Sequence, residues 1–334
     1  MRRAPVRAFA VALLLVGGAC TPAVIAGTPS GPAFWGFTGP WDPRSGFSAV
    51  RHQPQLDVIV SGWIGLDTVT AVPYVRYPDS LSRRVSGTRY MALVTSESNE
   101  RFRPALVRAL ASDPARLGAA AASIAGIASA AHYAGLVIDF EAHDAADLPL
   151  LLTVVRAIGD SARAHGVARI AVAIPAADTL AYPARPFVAL GDDVLVMLYD
   201  EHWSRSAPGP IASPDWVRRW LSARVREAGP GHVVAGLPLY GYRWRPGSDS
   251  AAATVGYDEA RSLAAADRTP LAPEPGTASL RARSASGWEM WVPDAAAIDT
   301  LVGIVRAADV RQVALWRLGL EDSALWTTVI PRRR

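Results

Sequence analysis

The sequence predicts an α/β fold of the (β/α)8, or TIM, barrel class, and three observations carry that expectation. Short apolar runs rich in branched residues alternate with longer stretches of helical period, the pattern of repeated βα units. Eight such runs can be placed, which suits a closed parallel barrel better than an open sheet. The 334 residues, half of them hydrophobic, carry enough apolar surface for one large domain or two small ones, and the periodicity decides between them.

The first 26 residues read as an export signal: Arg2, Arg3 and Arg7 precede an apolar run from Ala8 to Val16, and small residues follow. That run is too short to cross a bilayer as a helix, so membrane association is expected only through a lipid anchor. Cys20 is the single cysteine, which rules out an internal disulfide. Its place after Val16-Gly17-Gly18-Ala19 makes it the candidate lipid-attachment residue, with cleavage before it. Cleavage after Val24-Ile25-Ala26 is the alternative and would discard it. Either route leads out of the cytoplasm, to an envelope-tethered lipoprotein or to a periplasmic or secreted protein, expected as a monomer. The formal charge is +4, and three of those charges are the leader arginines, leaving 4 − 3 = +1, which is no nucleic-acid footprint.

Residues 27–334 are expected to form the barrel. Its strands are placed at Ala33 to Phe37, Leu56 to Ser61, Tyr90 to Val94, Gly135 to Glu141, Arg169 to Ile174, Asp193 to Tyr199, His232 to Leu239 and Arg311 to Trp316, each followed by a helix or helical turn. Leu148, Leu151, Val155, Ile158 and Ala162 form one helical stripe that Gly166 stops. A second helix opens with Ser213 as N-cap and Pro214 in its first turn, and ends at Gly229-Pro230. A short α+β insertion on the loop between strands seven and eight is expected over about residues 245–309, with a helix near Tyr257 to Ala266 and a hairpin ending at Trp288 to Val292.

Chemistry concentrates at strand ends. In Gly135-Leu136-Val137-Ile138-Asp139-Phe140-Glu141 the two carboxylates lie two residues apart, so they share a face. In a barrel that face is the lumen, at the C-terminal mouth where such enzymes place their sites. The charge of one acid raises the pKa of the other, as a proton donor at neutral pH requires. No histidine spacing suggests a metal, no Gly-rich phosphate loop follows the first strand, and no cofactor is expected.

From about Phe34 to Trp326 the chain resembles glycoside hydrolase family 18, the chitinase-type family, and especially its spore-germination and cortex-lytic branch. The family signature Asp-Gly-x-Asp-x-Asp-x-Glu reads here Ala134-Gly135-Leu136-Val137-Ile138-Asp139-Phe140-Glu141, with the first and second acids replaced by Ala134 and Val137. The resemblance implies that Glu141 protonates the leaving oxygen and that Asp139 positions the substrate's acetamide. The run Val196-Met197-Leu198-Tyr199-Asp200-Glu201-His202-Trp203 resembles the Met-x-Tyr-Asp element, which implies acetamide binding by Tyr199 and substrate contacts by Met197, Asp200 and Trp203. Gly236-Leu237-Pro238-Leu239-Tyr240-Gly241-Tyr242-Arg243-Trp244 is similar to the seventh strand and loop, bringing in Tyr240 and Tyr242, with Arg243 where the branch commonly has an acid. Trp316 matches the aromatic floor beneath the reacting sugar, a role suited to a ring that stacks on apolar sugar faces.

Trp35, Trp41, Trp63 and Trp291 are further candidates for a sugar groove, each with core packing as the competing explanation. His202 has two readings, a catalytic base or an orienting hydrogen bond beside Asp200. The expected activity is hydrolysis next to N-acetylglucosamine, with retention and with the substrate's own acetamide as nucleophile; the partner is then an N-acetylated polysaccharide. The alternative is a carbohydrate-binding barrel, catalytically weak because two signature acids are missing.

Overall fold

The computed structural model describes residues 31–330 apart from 80, 82–86, 100, 246, 248 and 249. The leader, Cys20 and the Arg332 to Arg334 tail therefore lie outside the described residues. Eight strands, Ala33–Phe37, Val58–Leu66, Arg89–Thr95, Gly135–Asp139, Arg169–Pro175, Asp193–Met197, Val233–Pro238 and Gln312–Trp316, pair in parallel. The first strand pairs with both the eighth and the second, which closes the barrel.

Strand alternation divides the apolar residues into two layers. On the fourth strand Leu136, Ile138 and Phe140 point outward into the layer beneath the helices, while Val137 joins Leu93, Ala173, Leu195 and Ala314 in the lumen. The lumen is plugged below by side chains such as Trp35, Val58 and Met91, and the cleft opens at its C-terminal mouth. The helix Leu148–Ala164 buries Leu151, Val155, Ile158 and Ala162 as its periodicity requires, and Gly166 follows at φ 81°.

Three features differ from expectation. After the second strand the described residues form a further strand, Pro73–Tyr77, which runs antiparallel on the upper half of the second. Its five residues are too few, and its outer face too apolar, to be told from a loop by pattern alone. Ser213 does occupy the N-cap of Pro214–Ala228, but its hydroxyl donates to Glu201 Oε1 (2.9 Å) instead of capping the helix. Glu201 also accepts from the Ser213 amide at 2.6 Å, which ties the loop after strand six to that helix. The insertion is a five-stranded antiparallel sheet that starts at Gly241 and closes at Val292, with the helix Tyr257–Ala266 against it. The expected bounds of 245–309 are thereby corrected. Ala295–Ala307 is a barrel helix, because Ile298, Leu301, Val302 and Val305 enter the main core. Gly241 marks the exit from the barrel, since a Cβ there would lie 1.9 Å from the Trp291 carbonyl oxygen.

One charged group organises the loop after strand five. Arg224, fully buried on the inner face of Pro214–Ala228, donates to the carbonyls of Ala176 (3.0 Å), Tyr182 (2.7 Å), Pro175 (2.6 Å) and Asp178 (2.8 Å), with Glu227 as counter-ion at 3.1 Å. Pro175 and Ala176 in turn line the barrel mouth. Arg224→Met removes every donor and leaves buried carbonyls unpaired, and is expected to cost about 3–5 kcal/mol, read as a fall in the urea midpoint. Arg224→Lys, which cannot reproduce the planar fork, should recover only part of that loss.

Candidate active site

The barrel mouth is a cleft of about 1080 Å³. Asp139 is the last residue of the fourth strand and Glu141 follows the outward-facing Phe140, so the two carboxyls project together into the cleft. Both are surrounded by protein while keeping part of their surface open to it. The chain reverses at Ala142, a non-glycine residue at φ 62° whose strain is of order 1–3 kcal/mol. Tyr182 holds this turn: its hydroxyl donates to the Phe140 carbonyl and accepts from the His143 amide, both at 3.0 Å.

Burial pushes the Asp139 carboxyl up to about 7; a hydrogen bond from Glu141 works against that shift, and the charge of Glu97 adds to it. Burial likewise pushes Glu141 well above the usual carboxylate range, reinforced by the charges of Asp139 and Asp200 and by the hydrogen bond with Asp139. One proton thus sits on Glu141 and is shared toward Asp139. Asp139 Oδ1 has no hydrogen-bond partner among the described residues and is sealed from solvent. Val137, at the position where the family signature carries an acid, can offer it nothing.

The sixth strand ends at Met197, which lines the cleft while packing in the lumen, so its two competing readings both hold. Tyr199 also lines the cleft, held neutral by burial and by the nearby charges of Glu141, Asp139 and Asp200. Asp200, at φ 60°, accepts hydrogen bonds at Oδ1 from the hydroxyls of Tyr240 and Tyr242, the latter at 3.3 Å. Tyr199, Tyr240 and Tyr242 stand edge to face along one wall. The facing wall is aromatic too: Trp63 lies 6.2 Å from Trp316, 5.0 Å from Trp41 and 6.1 Å from Tyr77 between ring centroids.

Of the residues singled out from sequence, Glu141, Asp139, Tyr199, Asp200, Met197, Trp316, Tyr240 and Tyr242 all line this cleft, and Trp41 and Trp63 join them. Trp203 does not. A tight turn closed by Ser206 aims its ring outward, 46% exposed, and it contributes only a carbonyl that accepts from Trp244 Nε1 at 3.3 Å. Trp35 is core, with the Arg169 guanidinium over its ring, and the Trp291 indole is tied to Glu289 inside the insertion sheet. His202 bonds to the Ala207 carbonyl (2.9 Å) and neither borders the cleft nor touches Asp200. Arg243 is likewise no part of the lining.

Sequence reasoning missed Thr95, Glu97, Arg76, Tyr77 and Arg317, which also line the cleft. Thr95 pairs in register with Asp139, so the alternation argument used for strand four would have found it and Glu97 at the end of strand three. Arg76 and Tyr77 sit on the unexpected strand, with Arg76 Nη1 bonded to Glu97 Oε2 at 2.5 Å.

No protein-family model matches the chain. It is 26% identical over 243 residues, 69% of its length, to YdhD of Bacillus subtilis, described as a sporulation-specific glycosylase. Its fold matches the spore cortex-lytic enzyme SleL of Bacillus megaterium at a TM-score of 0.79, with 17% identity over 92% of this chain and 77% of that one. It also matches a class V chitinase of Nicotiana tobaccum in complex with NAG4 at a TM-score of 0.71, with 15% identity over 88% and 96% of the two chains. The chain resembles the cortex-lytic branch of glycoside hydrolase family 18. The similarity spans 57% and 60% of the length of the curated relatives it matches, the second being the YvbX glycosylase of Bacillus subtilis.

A carboxyl whose pKa is higher in the folded than in the unfolded chain favours folding below its ordinary value and loses that advantage as pH rises through the folded one. For Asp139 the window runs from its ordinary 3.8 to about 7. Asp139→Asn, which never ionises, is therefore expected to gain stability over the unaltered protein as pH rises through this window, measured as urea midpoints. A difference independent of pH would show that Asp139 does not titrate there.

Proposed function

We propose that the protein is an exported glycoside hydrolase acting next to N-acetylglucosamine residues, in peptidoglycan glycan strands, chitin oligomers or a related polysaccharide. The observation that carries this reading is the convergence of a protonated Glu141, its neighbour Asp139, the hydroxyl of neutral Tyr199 and the Trp316 ring in one sugar-sized cleft. The glycosylase relatives and the NAG4 bound by the tobacco chitinase support it.

In this proposal the substrate's acetamide oxygen attacks the anomeric carbon while Glu141 passes its proton to the leaving oxygen and the glycosidic bond breaks. Asp139, which thereby loses the hydrogen bond from Glu141, takes the acetamide N–H and balances the positive charge that develops on the ring formed by attack. Tyr199 donates to the acetamide oxygen and holds it in line. Water then attacks the anomeric carbon from the opposite face, the bond from the acetamide oxygen to that carbon breaks and restores the neutral acetamide, Glu141 takes the water's proton, and the sugar leaves with its original configuration. The arrangement needs no metal and no cofactor.

A second reading, a carbohydrate-binding barrel with little turnover, draws support from Val137 and the unpartnered Asp139 Oδ1. Glu141→Gln separates the two. Under the hydrolase reading it lowers kcat on N-acetylglucosamine oligomers by about 10²–10⁴-fold and leaves binding intact, since it removes only the proton donor. Equal, minimal release by wild type and variant with equal binding would favour the binding protein. Tyr199→Phe is expected to lower kcat by about 10²-fold with little change in KM, and de-N-acetylated oligomers should not be cleaved at all.

A further inference from the structure

Besides the acids on its floor, the cleft carries an arginine that the catalytic scheme leaves unused. Arg317 follows Trp316 at the end of the eighth strand and lines the same cleft. Its side chain lies over Gly39, where a Cβ would sit 2.7–3.0 Å from Cδ, Nε and Nη1, and its guanidinium lies 5.4 Å from the centre of the Trp41 ring. Nη1 donates to Asp42 Oδ2 at 3.0 Å. Asp42 is shared, because Arg44 grips the same carboxylate through Nε (3.0 Å) and Nη2 (2.9 Å). Two guanidinium groups thus share one carboxylate, so Asp42 does not serve Arg317 alone.

The geometry of the fork matters more than the count. The N–H bonds of Nε and Nη2 run parallel along one edge of a guanidinium, the edge that grips a carboxylate with two hydrogen bonds. In Arg317 the ion pair uses Nη1, and neither Nε nor Nη2 has a partner among the described residues or is sealed from solvent. Arg76, the other cleft arginine, differs in facing a single acid, Glu97, that it does not share with a second arginine. A structural tie between the eighth strand and the first loop would need only the Asp42 contact.

We propose that Arg317 forms a subsite for a carboxylate borne by the sugar, so that the substrate is an acidic glycan rather than neutral chitin. This rests on the hydrolase reading above and narrows its substrate class. The chemistry adds a constraint on the order of reactions. In peptidoglycan the lactyl carboxyl of the muramic sugar is tied up as an amide wherever a peptide is attached, and an amide carries no charge. A reaction of the amidase class, hydrolysing that amide, must therefore act first and supply the peptide-free strand.

The test measures kcat/KM and Kd of the full chain on peptide-free peptidoglycan glycan, on the same glycan methyl-esterified at the lactyl carboxyl, and on N-acetylglucosamine oligomers of matched length. Peptide-free glycan is expected to bind and react about tenfold better than its ester, the equivalent of one charge-assisted contact. Arg317→Met should reduce that ratio to about one, and Arg317→Lys should restore part of it. A ratio near one in the wild type, or one that Arg317→Met leaves unchanged, overturns the subsite, and the acid-to-ester comparison holds even if a variant fails to fold. Selective binding of the acid without turnover of any substrate would refute hydrolysis and leave the subsite standing. Turnover without acid preference would do the reverse.

Discussion

Two carboxyl groups held where water can solvate neither fully form the constraint on which the rest of this structure turns. Asp139 and Glu141 cannot both ionise at the end of a buried strand, so one proton stays between them, and it stays on Glu141 because burial and two neighbouring charges act on it together. The surroundings serve to keep that pair in place. Phe140 anchors the strand outward, Tyr182 pins the turn after it, and the strained Ala142 aims Glu141 back toward the lumen. Ionised acids left unpaired in this position lower stability, a common cost of a catalytic site.

The barrel contributes distance as well as shelter. Its closure brings the ends of strands four, six, seven and eight around one opening, so that residues far apart in sequence share a cleft. The insertion sheet departs from strand seven at Gly241, directly between Tyr240 and Tyr242, and so holds both hydroxyls against Asp200. Asp200 in turn is one of the charges that keep the proton on Glu141. The insertion thereby acts on the catalytic pair through a single carboxylate.

The period-two pattern of the strands and the 3.6-residue stripe of Leu148–Ala164 were legible in sequence because burial on one face leaves a repeated mark. So were the strand-end residues, since alternation fixes which side chains share the lumen. What was not legible came from contacts between distant segments. The strand Pro73–Tyr77 forms only because the second strand extends beyond the barrel, and nothing local announces it. Trp203 looked like a groove residue by its place beside Tyr199, yet the Ser206 turn directs its ring outward. Arg224, Tyr182 and Arg317 act through partners more than 40 residues away, and a charged or aromatic residue in a helix or loop carries no mark of such a partner.

The location of the shared proton is the central claim, and infrared difference spectroscopy reads it directly. At pH 8 the unaltered protein should show the carbonyl stretch of a protonated, buried carboxylic acid, absent from Glu141→Gln and retained in Asp139→Asn. If no such band exists at that pH, or if it vanishes with Asp139 and survives without Glu141, the proton is not where this account puts it.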